Sequence, residues 1–157
     1  MRTIEKTVFT YAELSDSAKQ TAKEWFSSGG YTWVDEGIDS IRAFCRALSL
    51  PDKLDYELSP YCHSYIDSDV TPAYFRGLKL KDIDRNAMPT GYCLDCDLFY
   101  TFYDTFKETG NAYGAFIAAL DAAKKSIIAD MEYQDSDEYI AEMMDVNGYE
   151  FDENGRI

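Results

Sequence analysis

Apolar residues recur at spacings of three and four through most of this chain, and alternate at period two only in short runs. That imbalance predicts a helix-rich fold with little sheet. Leu14, Ala18, Ala22, Trp25 and Phe26 form one helical stripe, with Ser15 or Asp16 as its cap and Ser27-Ser28-Gly29-Gly30 as its stop. Ile38, Ile41, Phe44, Cys45 and Leu48 form a second, spanning roughly residues 34 to 48 and closed by Pro51. Further helices are predicted from near Asp95 to Gly110, from Ala112 to Tyr133 and from Ser136 to Val146.

Strand signals are confined to four places. Thr3 to Tyr11 reads as a strand through Ile4, Val8 and Tyr11. Two short strands follow at Lys53–Leu58 and Cys62–Val70, turned at Ser59-Pro60. Leu54, Tyr56 and Leu58 share one face of the first; Tyr61, His63 and Tyr65 share one of the second. Near the C-terminus, Asn154-Gly155 signals a type I′ turn beside a last strand. Residues 71–92, broken by Pro72, Gly77, Pro89 and Gly91, read as irregular, with helical turns near Ala73–Phe75 and Lys79–Arg85. The order predicts an α+β fold: a small, mostly antiparallel sheet packed with about five helices. At 157 residues and 46% hydrophobic composition, residues 1–157 are expected to form one domain around a single core.

Charge restricts what the fold can bind. Lys and Arg number 15 against 29 Asp and Glu, a net −14. Such a surface repels nucleic acid and anionic membranes, so neither is expected as a direct partner, and basic partners or cations are favoured. No apolar run is long enough to cross a bilayer, and MRTIEKTVFTY lacks the apolar stretch of a signal peptide, so a cytoplasmic location is expected.

The acid is concentrated toward the end. Residues 126–155 hold Asp130, Glu132, Asp135, Asp137, Glu138, Glu142, Asp145, Glu150, Asp152 and Glu153, with no Lys or Arg among them. Glu138, Glu142 and Asp145, spaced by four and three, would share one helix face, while Tyr139, Ile140, Met143 and Met144 turn to the core. Like charges so placed cost about 0.2–0.5 kcal/mol per pair. The segment can be a solvated face, or a surface that imitates a nucleic-acid backbone. A DNA duplex carries one charge per roughly 1.7 Å and a helix rises about 1.5 Å per residue, so these acids are too sparse for one helix to suffice. A mimic would also need acids from elsewhere, with Asp67, Asp69, Asp95 and Asp97 as candidates. The predicted partner-binding residues are Glu138, Glu142, Asp145, Glu150, Asp152 and Glu153, with Asp135 and Asp137 at the rim.

Motifs for chemistry are sparse. Cys93-Leu-Asp-Cys96 is a lone CxxC; zinc would need a second pair, and Cys45, Cys62 and His63 sit in different predicted elements. A thioredoxin-type site would need a βαβ context that the sequence does not supply. His63, the sole histidine, lies in a predicted strand beside aromatics and reads as structural. From Asp145, Gly148 stands fourth and Arg156 twelfth, where a calcium loop needs Gly sixth and Glu twelfth. Nucleotide-binding and hydrolase signatures are missing. No catalytic residue, metal or cofactor is therefore assigned, and a metal-binding or redox protein built on Cys93, Cys96 and His63 stands as an alternative. The aromatics Tyr100, Phe102, Tyr103 and Phe106, with Tyr61 and Tyr65, offer a second way to bind a protein, against a plain core role.

Five stretches carry a family likeness. Phe9-Thr-Tyr-Ala-Glu-Leu-Ser-Asp-Ser-Ala-Lys-Gln-Thr-Ala-Lys-Glu-Trp25, Phe44-Cys-Arg-Ala-Leu48 and Thr90-Gly-Tyr-Cys93 are the first three. Tyr133-Gln-Asp-Ser-Asp-Glu-Tyr139 and Tyr149-Glu-Phe-Asp-Glu-Asn-Gly-Arg156 complete them. Together they resemble small acidic accessory proteins of tailed phages and prophages. The resemblance brings no catalytic residue. It implies a non-enzymatic inhibitor of a host defence complex, of anti-CRISPR or anti-restriction type, working in the host cytoplasm against a basic protein surface.

Overall fold

A computed structural model describes residues 7–157. The fold is α+β, with five α-helices, short 3-10 turns and one two-stranded antiparallel sheet among the described residues. The helices are α1 (Asp16–Ser27), α2 (Val34–Ala47), α3 (Leu94–Thr109), α4 (Ala112–Gln134) and α5 (Asp137–Val146), and the strands are β1 (Leu54–Glu57) and β2 (Tyr65–Ser68). The chain divides into two compact units: Met1–Tyr31 with Glu132–Ile157, and Thr32–Met131. No helix among the described residues is long and apolar enough to cross a membrane.

In the first unit, Ser15 caps α1 by accepting the Ala18 N–H at 3.3 Å. Ala18 and Ala22 of α1 join Leu14, Ile140, Met144 and Phe151 in a small core. Trp25 adds edge-on contacts with Tyr149 and Phe151, at ring separations of 5.2 and 6.4 Å. The strand expected over Thr3–Tyr11 falls partly outside the described residues. Within them it reduces to one antiparallel bridge, Phe9 with Phe151, made by reciprocal N–H···O bonds of 2.9 Å. Local chemistry stops it on both sides. The Glu13 carboxylate accepts the Thr10 N–H and hydroxyl at 2.8 and 2.9 Å, drawing Tyr11–Glu13 into a 3-10 turn. After Phe151, Asp152 donates its N–H to the Arg156 carbonyl at 2.8 Å, so the chain folds back at once. The expected type I′ turn is also corrected. Gly155 N–H bonds the Asp152 carbonyl at 3.0 Å, which makes Glu153-Asn154 the central pair, and only Gly155 takes a positive φ, +78°.

In the second unit, Phe44 of α2 is fully buried and meets Phe99, Phe102 and Phe116 at 5.0, 5.6 and 6.1 Å. Such ring pairs contribute about 0.5–1.5 kcal/mol each beyond the area they bury. Gly37 allows α2 to approach closely: a Cβ there would stand 3.0 Å from Ile127 Cδ1. β1 and β2 are shorter than expected, with Asp55 opposite Asp67 and Tyr56 opposite Ile66. The Ser64 hydroxyl ties the connection, donating to the Ser59 carbonyl at 2.8 Å and accepting the Ser59 N–H at 2.9 Å, so pairing begins only at Tyr65. Tyr61 and His63 therefore sit exposed ahead of the strand.

Trp33 precedes α2 with φ +67° and makes no side-chain cap. A bulky residue in the left-handed region costs on the order of 1–3 kcal/mol. In the first turn of α3, the Asp95 carboxylate is fully buried and accepts the N–H groups of Thr90 and Gly91 at 2.9 and 3.0 Å. It also accepts the Thr90 hydroxyl at 2.9 Å. That hydroxyl in turn lies 2.9 Å from Ser40 Oγ and accepts the Tyr92 N–H at 3.2 Å. Thr90 has one proton to give and gives it to the carboxylate, so Ser40 is the donor to Thr90. The Thr90-Gly-Tyr-Cys93 stretch is thus a knot that fixes the entry to α3.

Candidate functional site

The first unit carries the acid-rich segment. Ser136 caps α5 by accepting the Tyr139 N–H at 3.2 Å, and Asp137 and Glu138 in the first turn complement the positive end of the helix. Ile140 and Met144 are buried, Tyr139 and Met143 half-buried, and Glu138, Glu142 and Asp145 exposed. The spacing argument thus holds in space: these three carboxylates form one outward face. No basic residue stands in the last turn of α5, where a cation would be favoured. Asp145 there opposes the helix dipole, and its spacing from Glu142, like that of Glu142 from Glu138, places like charges side by side. None of the three has a hydrogen bond or ion pair with a described residue.

Beside that face a cleft of about 780 Å³ opens between α1 and α5. Asp16, Lys19 and Lys23 line one wall, and Asp137, Asp145 and Glu150 the other, over an apolar floor that includes Met144 and Tyr149. Lys23 Nζ donates to Asp137 Oδ1 at 2.6 Å. This bond holds the Lys23 ammonium above its ordinary pKa. Tyr11 at the cleft edge is also raised, first by burial and then by the Asp137 charge.

The other expected residues are dispersed. Asp135 accepts the Tyr31 hydroxyl at 2.7 Å. Asp152 is turned onto its own backbone, its Oδ1 accepting the N–H groups of Asn154 and Arg156 at 2.9 and 3.0 Å. Glu153 is exposed on a separate groove of about 240 Å³ with Ser17, Thr21 and Arg156. Asp135, Asp137 and Asp152 therefore serve internal contacts, and the outward charge is carried by Glu138, Glu142, Asp145, Glu150 and Glu153.

Among the supporting acids, Asp95 is corrected outright: it is inside the second unit and bonded to Thr90 and Gly91. The available signal was helical spacing: Asp95 stands three, four and seven residues before buried Leu98, Phe99 and Phe102 and shares their face, whereas exposed Asp97 lies off that stripe. Asp67 and Asp69, also of the second unit, are exposed and line a groove of about 380 Å³ with Asp55 and Lys53. The nearby Tyr65 hydroxyl has a raised pKa, chiefly from the Asp55 charge.

The cysteines are all free. Cys45 is buried, which pushes its thiol up to about 11. Cys62 and Cys93 are exposed, and Cys96 is half-buried with its sulfur 3.4 Å from Met88 Sδ. Among the described residues no group of three or more His, Cys, Asp and Glu side chains is gathered as a metal site would need. Of the aromatic alternative, Phe102 is buried and Tyr103 and Phe106 are half-buried, whereas Tyr61, Tyr65 and Tyr100 are exposed, with the Arg85 guanidinium 4.1 Å from the Tyr100 ring centroid. The sequence reading passed over Trp33, which is exposed and stacks on half-buried Tyr92 at 6.4 Å and 16°. A tryptophan where a helix start favours Ser, Asp or Gly was the available signal.

Comparison with protein-family models, with curated proteins and with solved structures finds no match.

Proposed function

We propose that this protein is a non-enzymatic binder that seats the outer face of α5 on a basic surface of another protein. The observation that carries the reading is the row Glu138, Glu142 and Asp145, exposed on α5 with no partner among the described residues. A helix made only to be soluble would interleave lysines and remove the repulsion. Glu150, across the turn, extends the same charge. On a partner these carboxylates would pair with arginines and lysines that otherwise hold phosphates, so binding would exclude a nucleic acid without touching one. The likeness to small acidic phage proteins supports a host defence complex as the target, in the cytoplasm of the infected cell.

The test is the triple charge reversal Glu138→Lys, Glu142→Lys, Asp145→Lys, with circular dichroism and thermal melting to follow the fold. Wild type and variant are used as bait in bacterial lysate at low and moderate salt. The reading requires a basic partner retained by wild type at about 50 mM salt, weakened steeply by about 300 mM, competed by duplex DNA, and missing from the variant. Undiminished capture by a folded variant removes α5 as the binding face.

A further inference from the structure

Trp33 spends backbone strain on a ring it does not bury. Its φ of +67° suits glycine or asparagine, yet the side chain is 55% exposed. Core packing therefore does not explain a tryptophan at this position. Nor does capping, since Trp33 makes no side-chain bond to the start of α2.

The ring is nevertheless held. It stacks on Tyr92 with centroids 6.4 Å apart and planes 16° from parallel. Tyr92 is itself anchored, because its N–H bonds the Thr90 hydroxyl inside the buried Asp95 knot. An aromatic slab is thereby fixed in place before any ligand arrives, which lowers the ordering cost of binding. Next to it, the first turn of α2 presents Asp35 and Glu36, both exposed and without an ion-pair partner among the described residues. Burial together with neighbouring Cys93, Asp130 and Glu36 pushes the Tyr92 hydroxyl up to about 12, so it remains an uncharged phenol at physiological pH.

We propose that the Trp33–Tyr92 pair, with the carboxylates of Asp35 and Glu36, is a receptor for an arginine or lysine side chain of a basic protein partner. The ring face attracts a cation and the carboxylates complete its charge. A nucleic-acid base could stack on the same ring, but its phosphates would meet a chain of net charge −14. The site belongs to the second unit and does not rest on the reading given to α5.

Trp25 and Trp33 are the two tryptophans, so Trp25→Phe leaves Trp33 as the sole indole reporter. That protein is titrated with an arginine octapeptide at about 150 mM salt, which suppresses diffuse attraction. Saturable quenching of Trp33 emission is expected. In parallel, anisotropy of a dye-labelled octapeptide is read on otherwise wild-type protein and on Trp33→Gly. Glycine accepts the left-handed backbone and is a competent cap, so Trp33→Gly should melt at or above the wild-type temperature while affinity falls about tenfold. Glu36→Gln should weaken binding less, with no change in melting. Octapeptide binding that survives Trp33→Gly would show the peptide held by general surface charge, and overturns the proposal. So does a lower melting temperature of that variant, which would make the ring a structural support.

Discussion

Gly155 lies directly over the backbone of Ala18, so that a Cβ on the glycine would overlap the Ala18 carbonyl oxygen. Its φ of +78° adds a second reason for glycine at this position. The contact docks the C-terminal turn on α1 and keeps Phe151 in the small core beside Ala18 and Ala22. Gly155→Ala should cost more than 2 kcal/mol in denaturant unfolding, or detach the turn. Hydrogen exchange at the Phe9 and Phe151 amides would report the detachment. Gly148→Ala is the control: its φ is +64° but nothing lies within 4 Å, so about 1 kcal/mol is expected.

The buried Asp95 carboxylate accepts from Thr90 and Gly91 with no salt-bridge partner among the described residues, so its removal takes the acceptor from two part-buried N–H bonds and leaves a void where the carboxylate packs. Asp95→Ala should destabilise by about 2–4 kcal/mol. Asp97→Asn, exposed on the same helix, should stay within about 0.5 kcal/mol. Equal effects in urea melts would refute the assignment of Asp95 to the knot.

Lys23 holds Asp137, and its pKa is raised by that bond. The pair is partly exposed and should contribute no more than about 1 kcal/mol, less in high salt. Because the folded pKa is the higher one, the contribution is complete below the unfolded lysine value and fades as pH rises through the folded value. Lys23→Met should flatten that alkaline loss, read as melting temperature against pH. It should also free Asp137 and strengthen capture of a basic partner by the α5 face.

Thiol reactivity should follow burial. In native protein iodoacetamide should label Cys62 and Cys93 first and Cys96 more slowly, and Cys45 only on unfolding, as read by peptide mass spectrometry. Burial raises the Cys45 thiol to about 11. Keeping it neutral contributes stability below the unfolded thiol pKa, near 8.5, and that contribution declines as pH climbs toward the folded value. Cys45→Ala should show a smaller drop in urea midpoint between about pH 8 and pH 10 than wild type does.

What the sequence by itself determined is periodic and local. The stripe Ile38, Ile41, Phe44, Cys45 specifies α2, and Ser136 with Ile140 and Met144 specifies α5 and so the outward placing of Glu138, Glu142 and Asp145. Helical spacing fixes which residues share a face, and the apolar ones fix which face turns inward. Only the tertiary structure decided what each isolated acid meets. Asp95 shares the inward stripe of α3 with Leu98, Phe99 and Phe102, but that its carboxylate would take the N–H groups of Thr90 and Gly91 was set by the backbone turn before the helix. Asp137 finds Lys23, and Asp152 its own following turn. Trp33 acquired its strained backbone and its Tyr92 neighbour in the same way. These partners come from chain segments brought together by folding, or from backbone angles that no spacing rule encodes, so a residue pattern carries no record of them.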